Sequence, residues 1–317
     1  MNFRTPISLS TNDNQIDYTA RLVLMGSCFA ENISEKFSYY KFRNLVNPFG
    51  IIFNPFSIES SIERITQKNY FTEDAIFFHN DLWHCFEVHS ELSNANKDEL
   101  LATLNVIIDT AFLEFQNATT CIITYGTSWV YRNNESGKVV ANCHKVPQKE
   151  FSKELLSIAQ IEASIQRSCA LLQEINPNCH FIFTISPVRH LKDGFVENQL
   201  SKSHLIAAIH NSRSATRNSN YFPSYEIMMD DLRDYRFYAE DMLHPNQVAI
   251  DYIWTIFKNT FISEGSFSLM KEIETIQKAF SHRPFNLQSE AHQKFLSNLE
   301  RSIQQLQKLH PGLNLTF

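Results

Sequence analysis

The sequence predicts an α/β fold of three layers, a mainly parallel sheet flanked by helices on both faces, followed by a C-terminal helical hairpin. Two observations carry this expectation. Short apolar runs alternate with longer stretches of helical periodicity along most of the chain, the pattern of strands separated by helices in a parallel sheet. The tail departs from it: residues 267–280 and 289–308 read as two amphipathic helices with no strand between them.

Leu22-Val23-Leu24-Met25 reads as a buried strand that stops at Gly26-Ser27. A helix follows, because Phe29, Ile33, Phe37 and Tyr40 recur at helical spacing with Glu31, Asn32, Glu35 and Lys36 on the other face. Further strands are expected over residues 51–54, 76–78, 121–125, 181–186 and 225–229, and helices over 97–116, 158–175 and 198–214. Asn80-Asp81 suits a turn between two short strands. Pro245 and Asn246 open a helix carrying Val248, Ile250, Ile253, Trp254 and Phe257. In the tail, Pro284 and Asn286 suit the turn at 281–286. The expected organisation is an α/β domain over residues 1–262 with the hairpin of 263–317 packed on it. Ligands of such sheets bind at the carboxyl ends of the strands, where Ser27, Gly126 and Ser186 fall.

Composition narrows the function. The 317 residues are 43% hydrophobic, enough for a sizeable core. A formal charge of −6 and a pI near 6.1 give no general attraction to nucleic acid or anionic membrane, so neither is an expected partner. Residues 1–17 are polar and lack the plan of a signal peptide, and no apolar run reaches the roughly 18 residues of a membrane span. The expected location is cytoplasmic. Cys28, Cys85, Cys121, Cys143, Cys169 and Cys179 are scattered without a Cys-x-x-Cys pair, and are read as reduced and mainly structural. His79, His84 and His89 recur every five residues, a spacing that alternates faces of a strand, and closed zinc sites show tighter paired spacing. No metal and no cofactor is expected. Phe77, Phe78, Trp83 and Phe86 nearby suit core, or the wall of a pocket.

The chemistry concentrates at two junctions. Ser27 stands where a strand becomes a helix, a position for an N-cap or for a nucleophile whose developing charge faces the first free N–H groups of the helix. Asp241 and His244 stand three apart in a loop before a helix, a spacing at which the carboxylate can fix the imidazole's tautomer and stabilise its protonated form. Singly, each suits a cap or a surface corner. Together they make a nucleophile, base and orienter. Cys28 is the rival nucleophile, but it projects in a different direction from its neighbour. Arg189 and His190 follow an expected strand directly and are candidates for substrate binding, with an ion pair of Arg189 to Asp193 or Glu197 as the plain alternative. His144 and Lys145, after Asn142-Cys143, are candidates for an anionic or hydroxylated group, or simply a solvated loop end.

Gly26-Ser27-Cys28-Phe29-Ala30 spells the signature of the GSCFA family, which resembles the SGNH hydrolases. Asn47-Pro48-Phe49-Gly50 with Asn54-Pro55, Tyr125-Gly126-Thr127-Ser128-Trp129-Val130-Tyr131, Asn142-Cys143-His144-Lys145 and Ser186-Pro187-Val188-Arg189-His190 are similar to further stretches of that pattern. The resemblance implies an SGNH-like fold and a serine esterase or acyltransferase. Ser27 would be the nucleophile and His244 the base oriented by Asp241. The implied substrates are carbohydrate or small-molecule O-acyl esters. It also implies oxyanion donors from the Ser27 N–H, from a glycine N–H carried over to Gly50, and from an asparagine side chain. Here the sequence departs: Gly126-Thr127-Ser128 stands where Gly-x-Asn is expected, leaving Ser128 or Asn142 as the third donor. A binding module that keeps the scaffold without a connected triad is the rival from another class.

Overall fold

The computed structural model describes residues 5–213, 216, 218–281, 286 and 289–312. In chain order the first half runs β1 (Arg21–Gly26), α1 (Cys28–Tyr39), β2 (Arg43–Val46), α2 (Pro55–Thr66), β3 (Ile76–His79), β4 (Leu82–Cys85), α3 (Lys97–Asn117), β5 (Thr120–Tyr125), β6 (Trp129–Asn133), β7 (Val139–Val140) and β8 (Phe151–Leu155). The second half runs α4 (Ile158–Ile175), β9 (His180–Ile185), α5 (Phe195–Arg213), β10 (Ser219–Phe222), α6 (Ser224–Glu226), α7 (Gln247–Phe261), α8 (Phe267–Ser281) and α9 (Glu290–Leu309). A π-helical stretch, Ile227–Asp231, continues α6.

Five strands form a parallel sheet in the order β10-β9-β5-β1-β2, with Leu24 level with Val46 on one side and Ile122 on the other. Successive side chains of a strand point to opposite faces, and the two cores follow that alternation. Val23, Met25, Cys121, Ile123, Phe181 and Phe183 pack beneath α2, α3, α4 and α5. Leu22, Leu24, Ile122, Ile182 and Phe222 pack beneath α1 and α7. There Phe37 meets Trp254 and Phe257 edge-on at 5.1 and 5.8 Å, a geometry that aromatic rings favour. The expected three layers are present.

Two sequence expectations about strands are corrected. Residues 51–54 form no strand; the second strand is β2, and the 51–54 segment crosses the sheet's end, Ile52 N–H donating to Gly26 O at 3.2 Å before Asn54 caps α2. The 225–229 run is helical, because Pro223 ends β10 and the buried apolar residues satisfy a helix as well as a strand. The 76–78 run is a strand, but it pairs antiparallel with β4 outside the main sheet. Its turn, Asn80-Asp81, has φ of 47° and 61°, the left-handed values a two-residue hairpin demands. A second small antiparallel sheet, β7-β6-β8, follows β5.

Helices α8 and α9 share a small core of Leu269, Ile273, Ile276 and Leu306, packed against Tyr18. Gln277 donates to Tyr39 O at 3.0 Å and Arg43 donates to Gly312 O at 2.7 Å, so the pair is tied to the foot of α1 and the start of β2. Most of the connection expected at 281–286, Pro284 included, lies outside the described residues. Among the described residues no helix is long and apolar enough to cross a membrane.

Candidate active site

Gly26 makes the abrupt end of β1 possible. Its φ is +132°, and a Cβ there would stand 2.1 Å from Thr124 O on β5. Its N–H donates to Asn47 Oδ1 at 2.8 Å, so the loop after β2 holds the elbow from the other side. Ser27 follows as the N-cap of α1, 2% exposed, its hydroxyl accepting from Phe29 N–H at 3.2 Å. The cap therefore stands at the carboxyl end of the sheet, where the sequence expects a nucleophile.

The Asp241–His244 loop stands as a preformed pair. Asp241 Oδ1 accepts from the N–H groups of Leu243 and His244 at 2.9 and 3.0 Å, and Oδ2 meets His244 Nδ1 at 2.5 Å. These bonds hold the Asp241 carboxyl down to about 2. The loop is closed by Ala239 N–H on His244 O, and Asn246 caps α7 through Ala249 N–H. Among the described residues, His244 Nε2 has no hydrogen-bond partner and Ser27 is not bonded to His244. His244 is half exposed, its side chain at 48%.

A further group of residues gathers at the end of β5. His190 stacks on Phe53 at 5.0 Å, its Nε2 is buried without a partner, and its N–H donates to Asn198 Oδ1. Burial first, then the charges of Lys202 and His244, push its pKa down to about 3. Phe53 also marks the end of β5, since its carbonyl accepts from Gly126 N–H at 2.7 Å. Lys202 is wholly buried, its ammonium donating to Gly126 O at 2.7 Å and Ser186 O at 2.9 Å and lying over the Tyr225 ring at 5.2 Å. Sequence reasoning missed Lys202 and Phe53. The signal for Lys202 was available: it falls in the buried stripe Asn198, Ser201, Lys202, Leu205, Ala208, Ile209 of α5, where a lysine is out of place.

The expected oxyanion donors are otherwise occupied. Ser27 N–H donates to Thr124 O at 3.1 Å and Gly50 N–H to Asn47 O at 2.7 Å. Ser128 is fully buried, with its N–H and hydroxyl both bonded to Ser201 on α5, so it ties the strand end to a helix. Asn142 accepts from His144 N–H through Oδ1 and caps its own turn. His144 is sunk against β4, Nε2 on Cys85 O at 2.7 Å, and Lys145 is exposed; neither is bonded to Ser27 or His244 among the described residues. Arg189 lies over the Tyr238 ring at 5.3 Å and lines a cavity of about 330 Å³ with Gln199, Tyr225, Glu226 and Asp230; Asp193 pairs with Lys153 instead. The His84 ring meets the His79 carbonyl at 2.9 Å through Nε2 and the Ser93 hydroxyl at 2.6 Å through Nδ1, and among the described residues no three His, Cys, Asp or Glu side chains converge as metal ligands. Burial and Glu31 raise the Cys28 thiol above its ordinary pKa, the reverse of what an attacking thiolate needs.

No curated relative matches the chain. Among solved structures, an acetyl xylan esterase from the rumen bacterium Butyrivibrio proteoclasticus is similar at a TM-score of 0.36 and 13% identity, over 67% of this chain and 57% of that enzyme. The chain thus spans little more than half the length of that esterase. Residues 273–317 match the C-terminal domain of GSCFA proteins. The GSCFA family itself matches over residues 21–257, from the start of β1 into α7, a span that holds Ser27, Asp241 and His244. The chain belongs to the GSCFA family.

Proposed function

We propose that this chain is a serine esterase or acyltransferase acting on O-acyl esters of carbohydrates or small molecules. His244 Nε2 takes the Ser27 proton, Ser27 Oγ attacks the ester carbonyl, and the alcohol leaves with the proton returned from His244. Asp241 keeps the proton of the neutral imidazole on Nδ1 and stabilises the imidazolium. The acyl-enzyme then passes its acyl group to water or to a second alcohol. The observation that carries the reading is the Asp241–His244 pair, bonded at 2.5 Å with Nε2 left open. The ordered resemblance of Ser27, Asp241 and His244 to SGNH hydrolases supports the ester substrate. In the reacting complex the Ser27 hydroxyl exchanges its bond from Phe29 N–H for one to His244, a tightening that catalytic hydrogen bonds commonly need.

Labelling with a fluorophosphonate, with the adduct located by peptide mass spectrometry, tests this. The expected result is an adduct on Ser27 that is lost in Ser27→Ala, slowed at least a hundredfold in His244→Ala and unchanged in Cys28→Ala. The absence of a Ser27–His244 bond favours the second reading, a ligand-binding module on the same scaffold. A folded parent protein that takes up no label at Ser27 would establish that reading in place of the first.

A further inference from the structure

A cavity of about 330 Å³ lies between α5, the loop after β9 and the helix that follows β10, and neither Ser27 nor His244 lines it. Ligand pockets run from about 300 to 1,000 Å³, so this one has the room of a single small molecule. Tyr225, Glu226, Met229 and Asp230 enter it from α6 and the π-helical stretch that continues it, a departure from α geometry that recurs at functional sites.

The polar groups of the wall are sorted by kind. Donors come from the loop after β9 and from α5. Arg189 presents a guanidinium, which rests on the Tyr238 ring at 5.3 Å, and Gln199 accepts from the Tyr225 hydroxyl through Oε1 at 2.9 Å, so its NH₂ remains free to donate. Acceptors come from α6 and its continuation, as the carboxylates of Glu226 and Asp230. The Tyr221 hydroxyl reaches both Glu226 oxygens, at 2.7 and 2.9 Å, and fixes that carboxylate in place. Arg189 is ion-paired with neither carboxylate among the described residues. Ile206 and Met229 complete the wall with apolar surface.

Opposite charges that share a cavity and stay apart are complemented by a ligand that carries both signs. A simple carboxylate would meet the two acids, a simple amine would meet the guanidinium, and a neutral sugar would leave all three charges uncompensated. We infer that the cavity binds an α-amino acid with an aliphatic side chain. Its carboxylate lies in the fork of Arg189 beside the Gln199 NH₂, its ammonium lies on Asp230 and Glu226, and its side chain packs on Ile206 and Met229. This binding is independent of whether Ser27 is a nucleophile.

Isothermal titration of the full chain tests it with three probes: L-leucine, isocaproate, which has the same skeleton without the ammonium, and isoamylamine, which lacks the carboxylate. L-Leucine should bind at one site per chain, at least tenfold more tightly than either analogue, the usual worth of a charge-assisted hydrogen bond. Arg189→Gln should weaken L-leucine at least tenfold and leave isoamylamine no weaker, while Asp230→Asn should weaken L-leucine and leave isocaproate no weaker. A parent that takes up no L-leucine at millimolar concentration overturns the inference. So does an analogue that binds within threefold of L-leucine, a comparison that needs no variant and decides the matter if Arg189→Gln does not fold. Uptake of D-glucose in place of L-leucine would make this a hydroxyl site and overturn it as well.

Discussion

Asp241→Asn isolates the orienting role proposed for Asp241, because the geometry dictates which way the new amide must face. Asp241 Oδ1 accepts two backbone N–H groups, from Leu243 and His244. An NH₂ placed there would oppose two donors, so the amide oxygen stays on them and the NH₂ faces His244 Nδ1. The imidazole then accepts at Nδ1 and carries its proton on Nε2, the tautomer that cannot take a proton from Ser27. The lost charge-assisted bond alone is worth about 1.5–3 kcal/mol, roughly 10- to 150-fold. A complete tautomer trap in a buried triad reaches about 10⁴-fold. With both side chains nearly half exposed, at 48% and 45%, water competes for the ring, and a fall of about 10²- to 10³-fold in the labelling rate at Ser27 is expected. The fold should be retained, checked by circular dichroism. The Asp241 pKa is lowered to about 2, so the parent keeps this carboxylate as pH falls towards that value, and its acid limb above pH 4 should not arise from Asp241. A folded Asp241→Asn that labels within threefold of the parent would falsify the orienting role.

Three other outcomes follow from the packing. Gly26→Ala sets a Cβ 2.1 Å from Thr124 O at φ +132°; strain and overpacking together should cost about 2–6 kcal/mol in urea unfolding, and a loss below 1 kcal/mol would contradict the elbow's geometry. Asn47→Ala leaves the buried Gly26 N–H without its 2.8 Å acceptor and should lower stability by about 1–3 kcal/mol while slowing labelling at Ser27; unchanged labelling would mean the β2 loop does not set the serine's position. Burial lowers the His144 pKa from 6.5 to about 4, so the unfolded chain takes up that proton first as pH falls; the stability is complete above pH 6.5 and declines by about 3 kcal/mol on going down through pH 4. His144→Gln, which keeps a donor for Cys85 O and cannot titrate, should show a correspondingly smaller acid loss of melting temperature, and equal losses would assign the acid sensitivity elsewhere.

The interior of the sheet was legible because β1, β5 and β9 are covered on both faces and read as continuous apolar runs. Its edges were not. Arg43-Asn44-Leu45-Val46 and Ser219-Asn220-Tyr221-Phe222 are edge strands, partly exposed and short of apolar residues, so the neighbouring runs at 51–54 and 225–229 looked more strand-like than the strands themselves. Periodicity cannot separate a short buried strand from a short buried helix or a loop threaded under a sheet end. The candidate triad was legible for a different reason: Ser27 and His244 stand beside marks that sequence carries directly, a glycine elbow and an Asp-x-x-His-Pro-Asn junction. Lys202 was not, because a lysine is read as solvated unless the whole helical stripe around it is weighed.

Helix α1 joins two regions that must not interfere. Capped by Ser27, it runs from Cys28 to Tyr39, whose carbonyl receives Gln277 of the hairpin, and its 12 residues span about 18 Å. On the proposed mechanism the substrate meets the Ser27 end of that rod, while Gln277 of α8 is bonded to the other. On that reading a solid support, a fused protein or a fluorophore attached through the hairpin stands at the end of α1 away from Ser27, and labelling at Ser27 should proceed at the same rate on an immobilised molecule as in solution.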